Sequence, residues 1–217
     1  MFSPLVLNKI LTVEYLSSEA KNQSLFDRID NLVRYELAEQ PWPQFETKCS
    51  ASFSIAHTGS SILLKYFIKD DFFASSNRVI NSEVNRDNCV EFFISFMNEA
   101  YYNIEFNCLG IGKIGYGNSR MDRVLLPVET VEKISVEKKL SHHGKYFDWE
   151  ILLDIPLSTF SYQEIASLTG LSCSANFYKC GDDLPNKDFL AWNTIISDEP
   201  DFHKPEFFGK IVFESES

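Results

Sequence analysis

Two neighbouring runs, Asp87-Asn88-Cys89-Val90-Glu91-Phe92-Phe93-Ile94-Ser95 and Tyr101-Tyr102-Asn103-Ile104-Glu105-Phe106-Asn107, alternate apolar and polar residues with a period of two. That is the pattern of half-buried strands, because successive side chains of an extended chain point to opposite faces. Val90, Phe92, Ile94 and Phe96 share one face of the first run, and Ile104, Phe106 and Cys108 one face of the second. If the apolar sets share a core, Glu91 shares the other face with Asn103, Glu105 and Asn107. This restricts the register. Residues directly opposite in an antiparallel pair point the same way, so a slip of one residue would drive the carboxylates into the core. The connection must then hold an odd number of residues.

The rest of the chain extends the pattern. Ala51 to Ala56, Ile62 to Lys69, Val131 to Val136, Tyr146 to Asp154, Leu171 to Lys179, Leu190 to Ile195 and Phe208 to Phe213 also read as strands, separated by Gly, Asn, Asp and Pro clusters. Two short helices are expected. Ser24 caps one that runs through Asp27 to Asp30, and Ser158 to Ser167 forms the other. About ten short strands, few helices and no β-α alternation predict an all-β fold, an antiparallel β-sandwich. At 217 residues with 44% hydrophobic content, one domain over residues 1–217 is expected.

Charge narrows the partners. A net charge of −11 disfavours phosphate backbones and anionic membrane surfaces, which attract clustered Lys and Arg. No apolar run approaches the roughly 20 residues of a membrane span, so a soluble protein without nucleic-acid or membrane partners is expected. Cys49, Cys89, Cys108, Cys173 and Cys180 make an odd count with no zinc-type spacing, and buried free thiols are the expectation. The N-terminus lacks a secretory pattern, which fits a cytoplasmic protein or a processed exported one. Oligomeric state is not indicated.

With these strands in place, the chain resembles carbohydrate-binding module family 9 and the wider DOMON-like group sharing its sandwich. The resemblance rests on the D-x-x-V-E-F-F-I strand at Asp87 to Ile94, Tyr102 to Asn107, Phe147-Asp148-Trp149-Glu150-Ile151, Ala191-Trp192-Asn193, and the terminal Pro205 to Phe213. It implies noncatalytic binding of a neutral sugar or oligosaccharide, often at chain ends, in the service of polysaccharide breakdown. It further implies that Glu91 holds hydroxyls and that Phe202 offers one stacking face. A second stacking aromatic is implied shortly before Asp87 and a basic contact near position 105. The chain has no aromatic from Asn81 to Arg86, and it carries Glu105.

Sugar recognition needs a flat apolar surface for the C–H face of a ring, plus planar amides and carboxylates for paired hydroxyls. Glu91, Asn103, Glu105 and Asn107 supply the polar half, with Phe202 or Tyr116 as platforms. The competing reading is an ordinary solvated sheet face. Glu91 and Glu105 are also candidates for a glycosidase pair, although a polar, Asn-rich face is expected to leave carboxyl pKa values low. A haem-binding relative would use Met97, Met121 or His203 as axial ligands. Structural calcium could be held by Asp182 and Asp183 with Asp188, or by Asp198 and Glu199 with Asp201; no other cofactor is expected. Gly110 to Gly115 fits G-x-G-x-x-G but lacks the following helix of a dinucleotide site, so a glycine-rich turn is expected. His142-His143 reads as a solvated turn, and Trp149 and Trp192 as core.

Overall fold

A computed structural model describes residues 8–17, 25–45, 47–97 and 100–216. Its strands are β1 (Ile10–Tyr15), β2 (Tyr35–Glu36), β3 (Ser50–His57), β4 (Ser61–Asp70), β5 (Cys89–Ser95), β6 (Tyr101–Asn107), β7 (Gly112–Gly117), β8 (Arg123–Leu125), β9 (Ser135–His142), β10 (Phe147–Pro156), β11 (Ser172–Gly181), β12 (Asp188–Ala191) and β13 (Gly209–Phe213), with short helices α1 (Leu25–Ile29) and α2 (Val128–Val131). The all-β expectation holds, with thirteen strands among the described residues rather than about ten.

The strands form one curled sheet in the order β8-β7-β6-β5-β11-β13-β1-β3-β4-β10-β9, with β12 beside β11 and β2 beside β3. Its two halves face each other across the main core, as in a sandwich. Phe53 of β3 stacks on Phe177 of β11 at 3.9 Å between centroids, and Tyr66 Oη of β4 donates to the Glu91 carbonyl of β5 at 2.7 Å. The pairing is mixed, not purely antiparallel. Ile10 to Val13 run parallel to β13, and Glu14 and Tyr15 run parallel to β3. β1 is therefore the joint between the halves, with Leu11 and Val13 buried.

The opening register is met. Glu91 pairs with Glu105 and Ile94 with Tyr102, which leaves seven residues between the last pair. Other expectations shift for local reasons. Instead of a helix, residues 158–167 hold only the end of a 3-10 turn, Leu157–Thr159, because the Tyr162 amide donates to Tyr102 Oη and that of Leu168 to the Gly59 carbonyl. Val131 ends α2, which starts after Pro127, and the following strand begins only at Ser135. β12 stops at Ala191, where the Trp192 amide turns back to the Phe177 carbonyl. The expected N-cap Ser24 lies outside the described residues.

The glycine-rich run is a turn only at Gly110, which has φ +80. Gly112 and Gly115 belong to β7. There they are required by close approach: a Cβ would meet the Phe106 ring at 2.6 Å and Asn103 Oδ1 at 2.5 Å respectively. All five cysteines are free and buried, and Trp149 and Trp192 sit in the core. Between the halves lies a buried ionic knot, in which Lys179 Nζ of β11 reaches Asp70 of β4 at 3.2 Å and Asp188 of β12 at 3.0 Å. No helix among the described residues is long and apolar enough to cross a membrane.

Candidate functional site

The face of the sheet turned away from the main core carries one row of polar side chains, Lys113 on β7, Glu105 on β6, Glu91 on β5 and Tyr178 on β11, each opposite the next. Alternation dictates this, since their neighbours Val90, Phe92, Ile104 and Ile114 point into the core. The segment around Pro200 to His203 covers the row and leaves a cleft of about 150 Å³. Trp42, Phe189 and Phe202 wall one side, and Asn85 and Asp182 line another part.

The polar face is thus not solvated. Glu91 and Glu105 are 5% and 2% exposed. Burial, then the charge of Glu105, pushes the Glu91 carboxyl up to about 8, contrary to the expectation that this face leaves its carboxyls unperturbed. Cys180 Sγ donates to Glu91 Oε1 at 2.9 Å. Burial also raises Glu105, opposed by Lys113 and Arg123. Its Oε1 accepts from Asn103 Nδ2 at 2.6 Å and faces Arg123 Nη1 at 3.5 Å. Its Oε2 faces Lys113 Nζ at 3.5 Å and has no hydrogen bond of normal geometry among the described residues. A buried carboxylate oxygen left this way costs free energy until a donor arrives.

A relay supports the far side. Arg123 Nη1 donates to His203 Nε2 at 3.2 Å, and His203 Nδ1 lies 2.8 Å from Tyr101 Oη. Arginine cannot accept, so Nε2 is the bare nitrogen and Nδ1–H donates to the tyrosine. Burial, then Arg123, lowers the His203 pKa to about 3 and keeps the ring neutral.

Of the residues singled out from sequence, Glu91, Glu105 and Phe202 line the cleft, as do Asp182, Asp201 and His203, which were singled out for calcium or haem rather than for sugar. Phe202 is 7% exposed, with one face stacked on Tyr178 at 4.2 Å, so it contributes to a wall rather than standing as a free platform. Asn103 is a support beneath Glu105. Asn107 is used elsewhere, tying Asp87, Ser75 and the Asn77 carbonyl together. Tyr116 belongs to the other face of β7, paired with Tyr102 and stacked on Tyr162 at 4.6 Å. The calcium candidates are dispersed: Asp182 accepts from Asn85 Nδ2, Asp183 pairs with exposed Arg86, and Asp188 is bound to Lys179. Among the other acids, Asp201 lines the cleft, where its carboxylate accepts from the His203 amide. His203 has both ring nitrogens engaged, by Tyr101 and Arg123, while Met97 and Met121 are exposed. His142 and His143 are exposed, as expected, but His142 is the last residue of strand β9, paired with Phe147, rather than part of a turn, and His143 Nε2 lies 3.2 Å from Asp148 Oδ2.

Sequence reasoning missed Trp42, Asn85, Lys113 and Arg123, the place of Asp182 in this cleft, and the relay role of His203. Lys113 carried a signal, since its parity on β7 follows from pairing with β6. Trp42 carried none, because the Pro41-Trp42-Pro43 loop reaches the cleft only through tertiary folding, with its indole donating to the Ser197 carbonyl at 3.0 Å.

A sequence profile of carbohydrate-binding family 9 matches residues 21–213. The chain is similar to a proposed carbohydrate-binding protein from Bacteroides uniformis, at 33% identity and TM-score 0.88, covering 96% of this chain and 100% of that one. It shares its fold with a family 9 module from Caldicellulosiruptor kristjanssonii, solved in complex with cellotriose and with glucose. Each of those structures has TM-score 0.60 and 14% identity, over 96% of this chain and 95% or 97% of that one. Among curated proteins, none matches.

Proposed function

The chain belongs to carbohydrate-binding family 9, and from that premise we propose that its cleft binds the end of a neutral sugar chain, such as glucose or a short gluco-oligosaccharide, without cleaving it. The observation that carries this reading is the meeting of Glu91, Glu105 and Arg123 with an aromatic wall of Trp42, Phe189 and Phe202 in one cleft. Carboxylates and a guanidinium offer acceptors and donors in planar pairs, matched to adjacent hydroxyls. The aromatic wall supplies apolar surface for C–H groups.

The departures from the family pattern find their counterparts in space. Lys113 and Arg123 flank Glu105 and bring the basic donors that position 105 itself lacks. Trp42 brings an indole from a distant loop. A volume near 150 Å³ is below the roughly 300–1,000 Å³ of pockets that take drug-sized ligands, which favours a chain end over a chain interior. The relatives' glucose and cellotriose complexes lend support. In this reading the chain is a single binding domain serving polysaccharide breakdown.

The test is calorimetric titration of a panel of mono- and oligosaccharides against wild type, Glu91→Ala and Phe202→Ala. Binding by the wild type, weakened in both variants, is expected; silence across the panel removes the reading. A second reading, glycoside hydrolysis by Glu91 with Glu105, draws on the raised Glu91 carboxyl, which suits a general acid. It requires turnover of aryl glycosides that vanishes in Glu91→Gln.

A further inference from the structure

Cys89 and Glu91 are two residues apart on β5 and so share a face, and Cys180 on β11 stands directly across the ladder from Cys89. The register thus joins a Cys-x-Glu pair to a cysteine far along the chain. Their ligating atoms lie within 4.8 Å of one another. All three side chains are buried, at 0%, 5% and 1% exposure for Cys89, Glu91 and Cys180. We propose that Cys89, Glu91 and Cys180 form a binding site for a thiophilic divalent metal ion of the zinc type, with its fourth coordination position turned into the cleft.

The donor set is right for such an ion. Two thiolates and a carboxylate are zinc-type ligands, and three protein ligands with one open position is the form of a zinc site that keeps an exchangeable ligand. With zinc–sulfur bonds of about 2.3 Å, tetrahedral coordination sets its ligand atoms roughly 3.5 to 3.8 Å apart. The ligand atoms lie within 4.8 Å of one another, and Cys180 Sγ is 2.9 Å from Glu91 Oε1, so binding an ion requires side-chain rotation to that spacing. Glu91 and Cys180 line the cleft, which gives an ion its entry path.

Charge points the same way. Glu91 has Glu105 and Asp182 as acidic neighbours and feels Lys113 as a basic one, but the ion pairs of Lys113 and Arg123 are made to Glu105. The molecule contains a contrasting cluster of the same donor types, Cys49, Asp70 and Asp188. There Lys179 Nζ sits against both carboxylates, at 3.2 and 3.0 Å, so that cluster is already neutralised by the protein itself. Around Cys89, Glu91 and Cys180 no lysine forms an ion pair with the cluster among the described residues; Lys179 and Lys113 act on Cys89 and Glu91 only through their charge.

Binding must displace protons. Burial pushes the Cys89 thiol up to about 11 and the Cys180 thiol well above the ordinary thiol value, and Glu91 also carries a proton over much of the neutral range. Each ion bound therefore releases two thiol protons and up to one from Glu91 to the buffer, and uptake strengthens as pH rises. None of this requires a sugar, and metal uptake is measured without one.

The test is titration of the full chain, reduced with a phosphine, first with cobalt(II) and then with zinc(II). One equivalent of cobalt is expected to bring thiolate-to-metal charge-transfer absorption that zinc abolishes. Cys89→Ser and Cys180→Ser should lose the band, Cys173→Ser in the core should keep it, and Glu91→Gln should keep it with weaker affinity. Cadmium NMR of the wild-type complex reads the same point without variants, through a shift diagnostic of two sulfur ligands. Folded, reduced wild type without a charge-transfer band, a band that survives both serine substitutions at Cys89 and Cys180, or a cadmium shift of all-oxygen coordination would each overturn the proposal.

Discussion

Glu91 stands directly opposite Glu105 across the β5–β6 ladder, and both carboxyls are buried in the cleft that Phe202 and His203 also line. Two like charges so placed are held only because one carboxyl keeps a proton and the other faces Lys113 and Arg123.

This pair makes stability depend on pH. Glu91 is raised from its ordinary 4.5 to about 8 in the folded chain, so the folded state keeps a proton that the unfolded state has released. The contribution is fully present below pH 4.5 and is lost as pH climbs to about 8. Thermal unfolding in a chelating buffer should show Tm falling across that window, with a shallower fall in Glu91→Gln. A wild-type Tm that is flat or rising there contradicts the assignment.

Lys179 is the cation between the two halves of the sheet, fully buried against Asp70 and Asp188. Replacing it with Met leaves two buried carboxylates without a counter-ion, which costs about 3–5 kcal/mol for a broken buried pair. Urea unfolding of Lys179→Met should give a loss of that size. A loss below about 1 kcal/mol would show that the knot is not a structural tie.

His203 is neutral because burial and Arg123 both oppose its charge, and its pKa lies near 3. Its imidazole signals in NMR should therefore stay fixed between about pH 5 and pH 8, the range in which an unperturbed histidine titrates. Arg123→Gln should raise the pKa. Ordinary titration of His203 in the wild type would contradict the Arg123–His203–Tyr101 relay.

Much of this was legible in the residues themselves, and what was not has a physical cause. Alternation at Val90 to Phe96 and Ile104 to Cys108 gave the strands, the faces and the Glu91–Glu105 register, because a period of two leaves one self-consistent pairing. The same logic placed Glu91, Glu105 and Asn103 together. It did not extend to β1, whose parallel pairing with β13 and β3 joins segments far apart in the chain and has no local signature. Nor did it reveal that the polar face is roofed, since the cover comes from the irregular segment between β12 and β13. Tyr116 was misplaced because the glycines around it read as a loop, whereas they mark close contacts inside β7. Trp42 and the Cys89–Cys180 pairing are likewise products of tertiary contact.

The central claim, that the cleft beneath Phe202 holds the end of a sugar chain, is tested most directly by a crystal structure of the protein grown with cellotriose. The account predicts a terminal sugar ring against Trp42 and Phe202, with its hydroxyls on Glu91, Glu105 and Arg123. Cellotriose bound on another face, or a cleft free of sugar at saturating concentration, would contradict it.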